Sequence, residues 1–315
     1  MAILSGDDEA RIEEALTTAH RLEQKKPLPT PERIAILNKT ADLVEAKAEE
    51  FARQSAEEGG KPLIDSQIEL ARAVQGIREA ANSIGQLTGH EIPMNLTTSS
   101  MNRMAFTTRE PVGVVAAVSA FNHPFNLIVH QVIPGVAVGC PVIVKPALIT
   151  PLSCLNLVNC LYEAGLPKEW VQVAICENSL AEKIVTDPRV SFLTFIGSGK
   201  VGWGLRSKLA PGARCALEHG GAAPVIVEAD ADIDDALPLL AKGGFYHAGQ
   251  VCVSVQRVFI HEEIAEEFSR KLADIAGKLV VGDPVDEKTE VGPLIQEREV
   301  ERIHKWVEEA KAAGG

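Results

Sequence analysis

The sequence predicts an α/β protein: a doubly wound parallel sheet followed by part of a second α/β unit. Three observations predict it. The chain up to about residue 90 carries helical periodicity, and from residue 112 onward short apolar runs alternate with helical stretches. That alternation starts again near Ala223 and is only half complete at the last residue. With 315 residues, 46% of them hydrophobic, the chain is long enough to bury two cores.

The elements follow in order. Ile12, Ala15, Leu16, Ala19 and Leu22 fall on one face of a first helix. Thr30-Pro31-Glu32-Arg33 opens a second, with Thr30 as N-cap and Pro31 at the first helical position. A third is expected from about Ile64 to Leu87. Glu45, Glu49, Glu50, Glu57 and Glu58 read as a solvated helix face rather than a binding surface. Asn95 to Thr108 is rich in Thr and Ser and alternates weakly, as a protruding hairpin does. Strands are expected at Val112–Val118, Val142–Val144, Val171–Ile175, Ser191–Phe195 and Arg214–Leu217. The helices between them are expected at Pro124–Val138, Leu152–Ala164, Ser179–Asp187 and Ser198–Leu209. Pro111 to Val144 contains no Asp, Glu, Lys or Arg and is long enough to span a bilayer. Its internal Gly, Pro, Asn and His residues and its β-branched ends read instead as buried strands flanking a helix.

Composition excludes several classes of function. The 31 basic and 43 acidic residues give a net charge of −12, and no basic tract marks a nucleic-acid partner. The six cysteines, Cys140, Cys154, Cys160, Cys176, Cys215 and Cys252, form no CxxC pair and no spacing with His that would suit zinc, so a reducing compartment and no metal are expected. The N-terminal run from Met1 turns acidic at Asp7-Asp8, which reads as neither a secretory signal nor a basic transit peptide. Cytoplasmic localisation, without membrane association, is the expectation.

Three segments carry chemistry. Phe121-Asn122-His123-Pro124, Glu218-His219-Gly220-Gly221 and Gly249-Gln250-Val251-Cys252 supply an amide donor, a carboxylate base and a thiol. Singly, each has an ordinary reading: a turn residue before Pro124, a strand-end carboxylate, a small buried hydrophobe. Together they suit acyl chemistry on an aldehyde, because a thiolate attacks carbonyl carbon well and glycines beside it permit close approach. His123, His130, His219 and His247 lie near these segments, as structural groups or as pocket contacts. Phe195-Ile196-Gly197-Ser198-Gly199-Lys200-Val201-Gly202 ends a strand and opens a helix. Both a pyrophosphate cradle and a plain tight turn fit it. Lys145 ends an apolar strand, where open α/β sheets bind ligands.

With Val144-Lys145-Pro146-Ala147, Ala222-Ala223-Pro224-Val225-Ile226-Val227 and Glu290-Val291-Gly292-Pro293-Leu294 added, the stretch from about Arg109 onward resembles the aldehyde dehydrogenase superfamily. The resemblance implies a doubly wound Rossmann-like cofactor domain over residues 1–222 and a partial second α/β catalytic domain over 223–315. The first of these would comprise the N-terminal helices, an oligomerisation hairpin near 95–108 and a Rossmann-like part over 109–222. It implies oxidation of an aldehyde to a carboxylic acid with NAD or NADP, through a thiohemiacetal and a thioester on Cys252. Asn122 and the Cys252 N–H would hold the oxyanion, and Glu218 would activate water.

Cofactor contacts are implied for Lys145, Gly197, Ser198 and Gly202, and a homo-oligomer is implied for the full-length protein. Leu148 stands where many NAD-preferring members carry Glu, which leaves the choice of dinucleotide open, and His219 replaces an apolar residue. Substrate contacts are expected from His123, Leu127, His130, Val251 and Val253; the aldehyde itself is not specified. The family's later Glu-x-Phe-Gly-Pro segment and C-terminal oligomerisation strand do not occur before Gly315. A truncated chain is therefore expected, with a weakly active or inactive fragment, acting at most as a binding module, as the alternative.

Overall fold

The computed structural model describes residues 6–314; Met1–Ser5 of the N-terminal run read for a leader, and Gly315, lie outside the described residues. Four helices open the chain: α1 (Glu9–Glu23), α2 (Thr30–Ala46), α3 (Ala48–Gly59) and α4 (Leu63–Ser83). Asp8 caps α1 by accepting from the Arg11 N–H at 2.9 Å, and Ile12, Ala15, Leu16 and Ala19 are buried along it. Two details differ from expectation. Pro29, not Thr30, occupies the N-cap of α2, and the Thr30 hydroxyl instead accepts from Arg33 Nη2 at 2.9 Å. Lys47, at φ −110° and ψ 13°, separates α2 from α3, a break that the charged pattern did not announce.

A two-stranded hairpin follows, β1 (Glu91–Ile92) antiparallel to β2 (Ala105–Phe106). Its pairing begins before Asn95, and Leu96, Met104 and Phe106 are exposed on it.

The central sheet comprises β3 (Val114–Val118), β4 (Val142–Lys145), β5 (Val171–Val173), β6 (Val190–Gly197) and β7 (Arg214–His219). Their order is β5-β4-β3-β6-β7, and every neighbouring pair is parallel. The connecting helices are α5 (Asn126–Val138), α6 (Pro151–Ala164), α7 (Asn178–Thr186) and α8 (Gly199–Arg206). Parallel strands need both faces covered, and the period-two alternation supplies apolar side chains to each. Val115 and Ala117 of β3 join a core with Leu37, Leu70, Val129, Val132 and Leu157, whereas Val114 and Ala116 join one with Ile12, Leu16, Ile184 and Leu193. The uncharged run thus resolves into β3, α5 and β4, and among the described residues no helix is long and apolar enough to cross a membrane.

From β3 the chain builds outward through β4 and β5, then returns to add β6 and β7 on the other side. The order reverses between β3 and β6, so a crevice opens beyond their C-terminal ends, where loops diverge to either face. Past the sheet, β8 (Val225–Val227) pairs in parallel with β9 (Val258–Ile260), joined by α9 (Ile233–Phe245) and followed by α10 (Ala265–Ala276) and α11 (Glu297–Ala312). Val227, Leu237, Leu240 and Phe268 form a separate core there. Ile226 and Phe259 leave the other side of this small sheet open, at 74% and 56% exposure.

Glu58, read above as part of a solvated face, does other work. Its carboxylate accepts from the backbone N–H groups of Leu152 and Ser153, both at 2.9 Å, and so caps α6 across the helix layer.

Candidate active site

A cavity of about 1100 Å³ lies beyond the C-terminal ends of β3, β4, β6 and β7. Asn122, Glu218 and Cys252 line it together with Lys145, Leu148, Gly197 and Ser198. Segments far apart in the chain therefore meet at the strand-order reversal.

Asn122 sits on the turn between β3 and α5 and is buried. Its Nδ2 donates to the Gln250 carbonyl at 2.9 Å, which leaves the second hydrogen of that amide uncommitted, and its Oδ1 has no protein partner. Cys252 follows a tight turn in which His247, Ala248 and Gly249 all adopt positive φ (51°, 54° and 72°). The side chain of Gln250 braces this turn: its Nε2 donates to the His247 carbonyl at 3.0 Å, and its Oε1 accepts from the Ile295 N–H at 2.9 Å. The Gly221 N–H donates to the Cys252 carbonyl at 3.2 Å, and a Cβ at Gly221 would stand 3.2 Å from that same oxygen. Glycine there keeps the Glu218 strand end and the Cys252 loop in contact.

The thiol is not preactivated. Burial raises the Cys252 pKa above its ordinary value, and the nearby Glu218 carboxylate raises it further. His123 and His247 stay neutral at physiological pH. Burial and the Lys61 ammonium push His123 down to about 4, and burial chiefly pushes His247 down to about 3.

On the other wall, Lys145 ends β4 in a buried position that lowers its pKa, and no ion pair engages it among the described residues. Ser198 is the N-cap of α8 and accepts from the Val201 N–H at 3.5 Å; with Gly197 it faces the cavity. A helix N-terminus and an unpaired ammonium across a strand-order reversal suit a dinucleotide's phosphates and ribose. Leu148 is 39% exposed on the same wall.

Gly202 is placed differently from the reading above. It is buried off the cavity wall, and a Cβ on it would stand 2.3 Å from His219 Nε2 and 3.0 Å from the Phe195 ring. Gly202, the last glycine of the run, admits the His219 imidazole, which packs between Phe195 and Trp203 with ring centroids 6.2 and 5.5 Å away. Among the expected substrate contacts, His123, Leu127 and Val251 line the cavity; His130 and Val253 are exposed and do not.

Several site residues were not found from the sequence. Lys61 and Glu69 form a buried ion pair beneath the Asn122 turn. Arg72, exposed on α4, lies within electrostatic reach of His123, His130 and Tyr246. Arg298, Arg302 and Trp306 of α11 line the far side of the cavity. The helical spacing of Arg302 and Trp306 was the one legible signal; the Arg302 guanidinium lies over the Trp306 ring as a cation–π pair, 4.4 Å from its centroid.

Comparison with known proteins completes the description. The family model described as "Aldehyde dehydrogenase family" matches residues 2–315. A 3-sulfolactaldehyde dehydrogenase of Priestia aryabhattai is 42% identical over 284 residues, covering 90% of this chain and 59% of its own length. A lactaldehyde dehydrogenase of Methanocaldococcus jannaschii is 37% identical, covering 96% of this chain and 65% of its own. The chain thus spans about three fifths of the length of the curated relatives it matches. Among solved structures, a glyceraldehyde-3-phosphate dehydrogenase of Methanocaldococcus jannaschii complexed with NADP superposes with a TM-score of 0.94 at 34% identity. The match covers 100% of this chain and 69% of that one.

Proposed function

Because the chain belongs to the aldehyde dehydrogenase family, we propose that its cavity oxidises an aldehyde to a carboxylic acid with NAD or NADP. The observation that carries this reading is the convergence of Asn122, Glu218 and Cys252 on one cavity whose other wall holds Lys145, Gly197 and Ser198. Cys252, once deprotonated, adds to the carbonyl carbon and forms a thiohemiacetal alkoxide. The free N–H of Asn122 Nδ2 and the Cys252 backbone N–H hold that alkoxide, each donor being worth roughly 3 kcal/mol. A bound nicotinamide supplies the hydride acceptor that converts a thiohemiacetal into a thioester. Glu218 then takes a proton from water, whose oxygen attacks the thioester carbon and releases the acid and the Cys252 thiol. Lys145 binds the ribose, and the N-terminal turn of α8 at Ser198 faces the phosphates.

We assign the substrate to small anionic aldehydes. By their names, two of the relatives above act on anionic aldehydes, one sulfonated and one phosphorylated, and the third acts on the neutral lactaldehyde. In this chain Arg72, exposed on α4 outside the cavity wall, acts through its charge on His123, which lines the cavity. The test is reduction of NAD or NADP against a panel of charged and neutral aldehydes, combined with iodoacetamide mapping. Loss of turnover must track alkylation of Cys252. Cys140, Cys154, Cys160 and Cys176 are buried, and inactivation that tracked Cys215 or any of these would remove the assignment.

A further inference from the structure

The turn that carries Asn122 is held from beneath by two charged side chains that solvent does not reach. Lys61 is 0% exposed and Glu69 3% exposed, and they form an ion pair through Lys61 Nζ and Glu69 Oε2. The other oxygen, Glu69 Oε1, accepts from the backbone N–H groups of Phe125 at 2.9 Å and Asn126 at 2.8 Å. The start of α5 has no side-chain cap of its own, so its cap arrives from α4. The Lys61 ammonium also lies 3.3 Å from His123 Nδ1. An ammonium can only donate, so Nδ1 accepts, and the single proton of the neutral ring sits on Nε2. From there it is donated to Tyr246 Oη, 3.3 Å away.

An ion pair buried this deeply is a poor device for stability alone, since apolar residues of similar volume often serve as well or better. A cap formed by a local Ser or Asp would satisfy the same N–H groups without fixing α5 against α4. This pair instead ties residues 123, 125 and 126 to one rigid point. Among the described residues the Asn122 side chain, between them and β3, makes only the bond to Gln250.

Resting on the reading of Asn122 as the oxyanion donor, we propose that Lys61 and Glu69 are positioning residues for it. They lock the 121–126 turn so that one Asn122 N–H stays on the Gln250 carbonyl and the other stays in the cavity, and they fix His123 as the Nε2–H tautomer. Glu69→Gln removes the pair's negative charge, and the charge-balanced Lys61→Met/Glu69→Gln variant avoids leaving a buried unpaired lysine. Thermal melting identifies the variants that fold. In the chain as encoded, with aldehyde and NADP, both are expected to lower kcat by roughly tenfold or more while KM changes by less than about twofold. In an Asn122→Ala background the same substitutions are expected to change kcat by less than about twofold, because their effect passes through Asn122. Losses that multiply in that background overturn the proposal.

A second readout does not depend on turnover. In nitrogen-15 NMR spectra the wild type is expected to show His123 protonated at Nε2 and titrating near 4. The double variant is expected to mix the two tautomers and to shift or broaden the Asn122 side-chain amide signals. If the wild type oxidises no aldehyde, the proposed function fails by itself. Unchanged Asn122 and His123 signals in a folded double variant overturn the positioning role whatever the turnover.

Discussion

The Glu218 carboxylate raises the pKa of the Cys252 thiol, on top of the increase that burial causes. The carboxylate proposed to activate water therefore opposes ionisation of the proposed nucleophile. In this arrangement the thiol is a protonated resting group, not a standing thiolate. A displacement of the Glu218 side chain away from the thiol would remove that opposition.

That relationship predicts the sign of a pH effect. A raised thiol pKa means that the alkylation rate of Cys252 by iodoacetamide keeps climbing with pH above the range of an ordinary cysteine. Glu218→Gln removes the charge and the strong acceptor, leaving burial alone, so the pKa falls and alkylation at neutral pH is expected to accelerate by roughly threefold to tenfold. Stopped alkylation time courses from pH 6 to 10 for both proteins measure it; a slower or unchanged variant shows that the two side chains do not interact in solution.

The same substitution separates the two halves of the proposed reaction. Glu218→Gln is expected to leave a burst of reduced nicotinamide close to one equivalent while steady-state turnover falls by roughly 10²-fold or more. Loss of the burst along with turnover would assign Glu218 to the first half-reaction instead.

Leu148 puts no charge near the dinucleotide wall formed with Lys145. Leu148→Glu is expected to weaken NADP binding by about tenfold through like-charge repulsion with a 2′-phosphate, and to change NAD binding by less than about threefold. Dissociation constants from fluorescence titration decide it, and an unchanged NADP/NAD ratio means that residue 148 does not face the ribose.

Arg72 is expected to set the charge preference of the aldehyde. Arg72→Met should raise KM by about tenfold for a sulfonated or carboxylated aldehyde and leave a neutral aldehyde of the same length nearly unchanged. Equal losses on both substrates would point to packing rather than charge recognition.

Glu58→Ala removes acceptors from the Leu152 and Ser153 N–H groups at the start of α6. A loss of about 1–2 kcal/mol in unfolding free energy is expected, read from urea melts. A solvated Glu58 would cost nothing measurable, and Glu57→Ala, from the exposed side of the same helix, is the internal comparison.

The sequence by itself determined the strand and helix order of the central sheet. Strands buried on both faces must be largely apolar, so Val142–Val144 and Val114–Val118 announce themselves as short uncharged runs whatever their neighbours. It also singled out Asn122, Glu218 and Cys252, because their local segments resemble those of a large family. Only the tertiary structure decided what depends on residues meeting through space. The burial of Lys61 against Glu69, the capping of α6 by Glu58 and the use of Gly202 to admit His219 join groups distant along the chain. A charge pattern reads such groups as surface, and a glycine pattern reads Gly202 as a phosphate loop. The state of Cys252 belongs to the same class, since a thiol's pKa is set by the field and solvent around it, and here both come from the packing of β7 against the Cys252 loop.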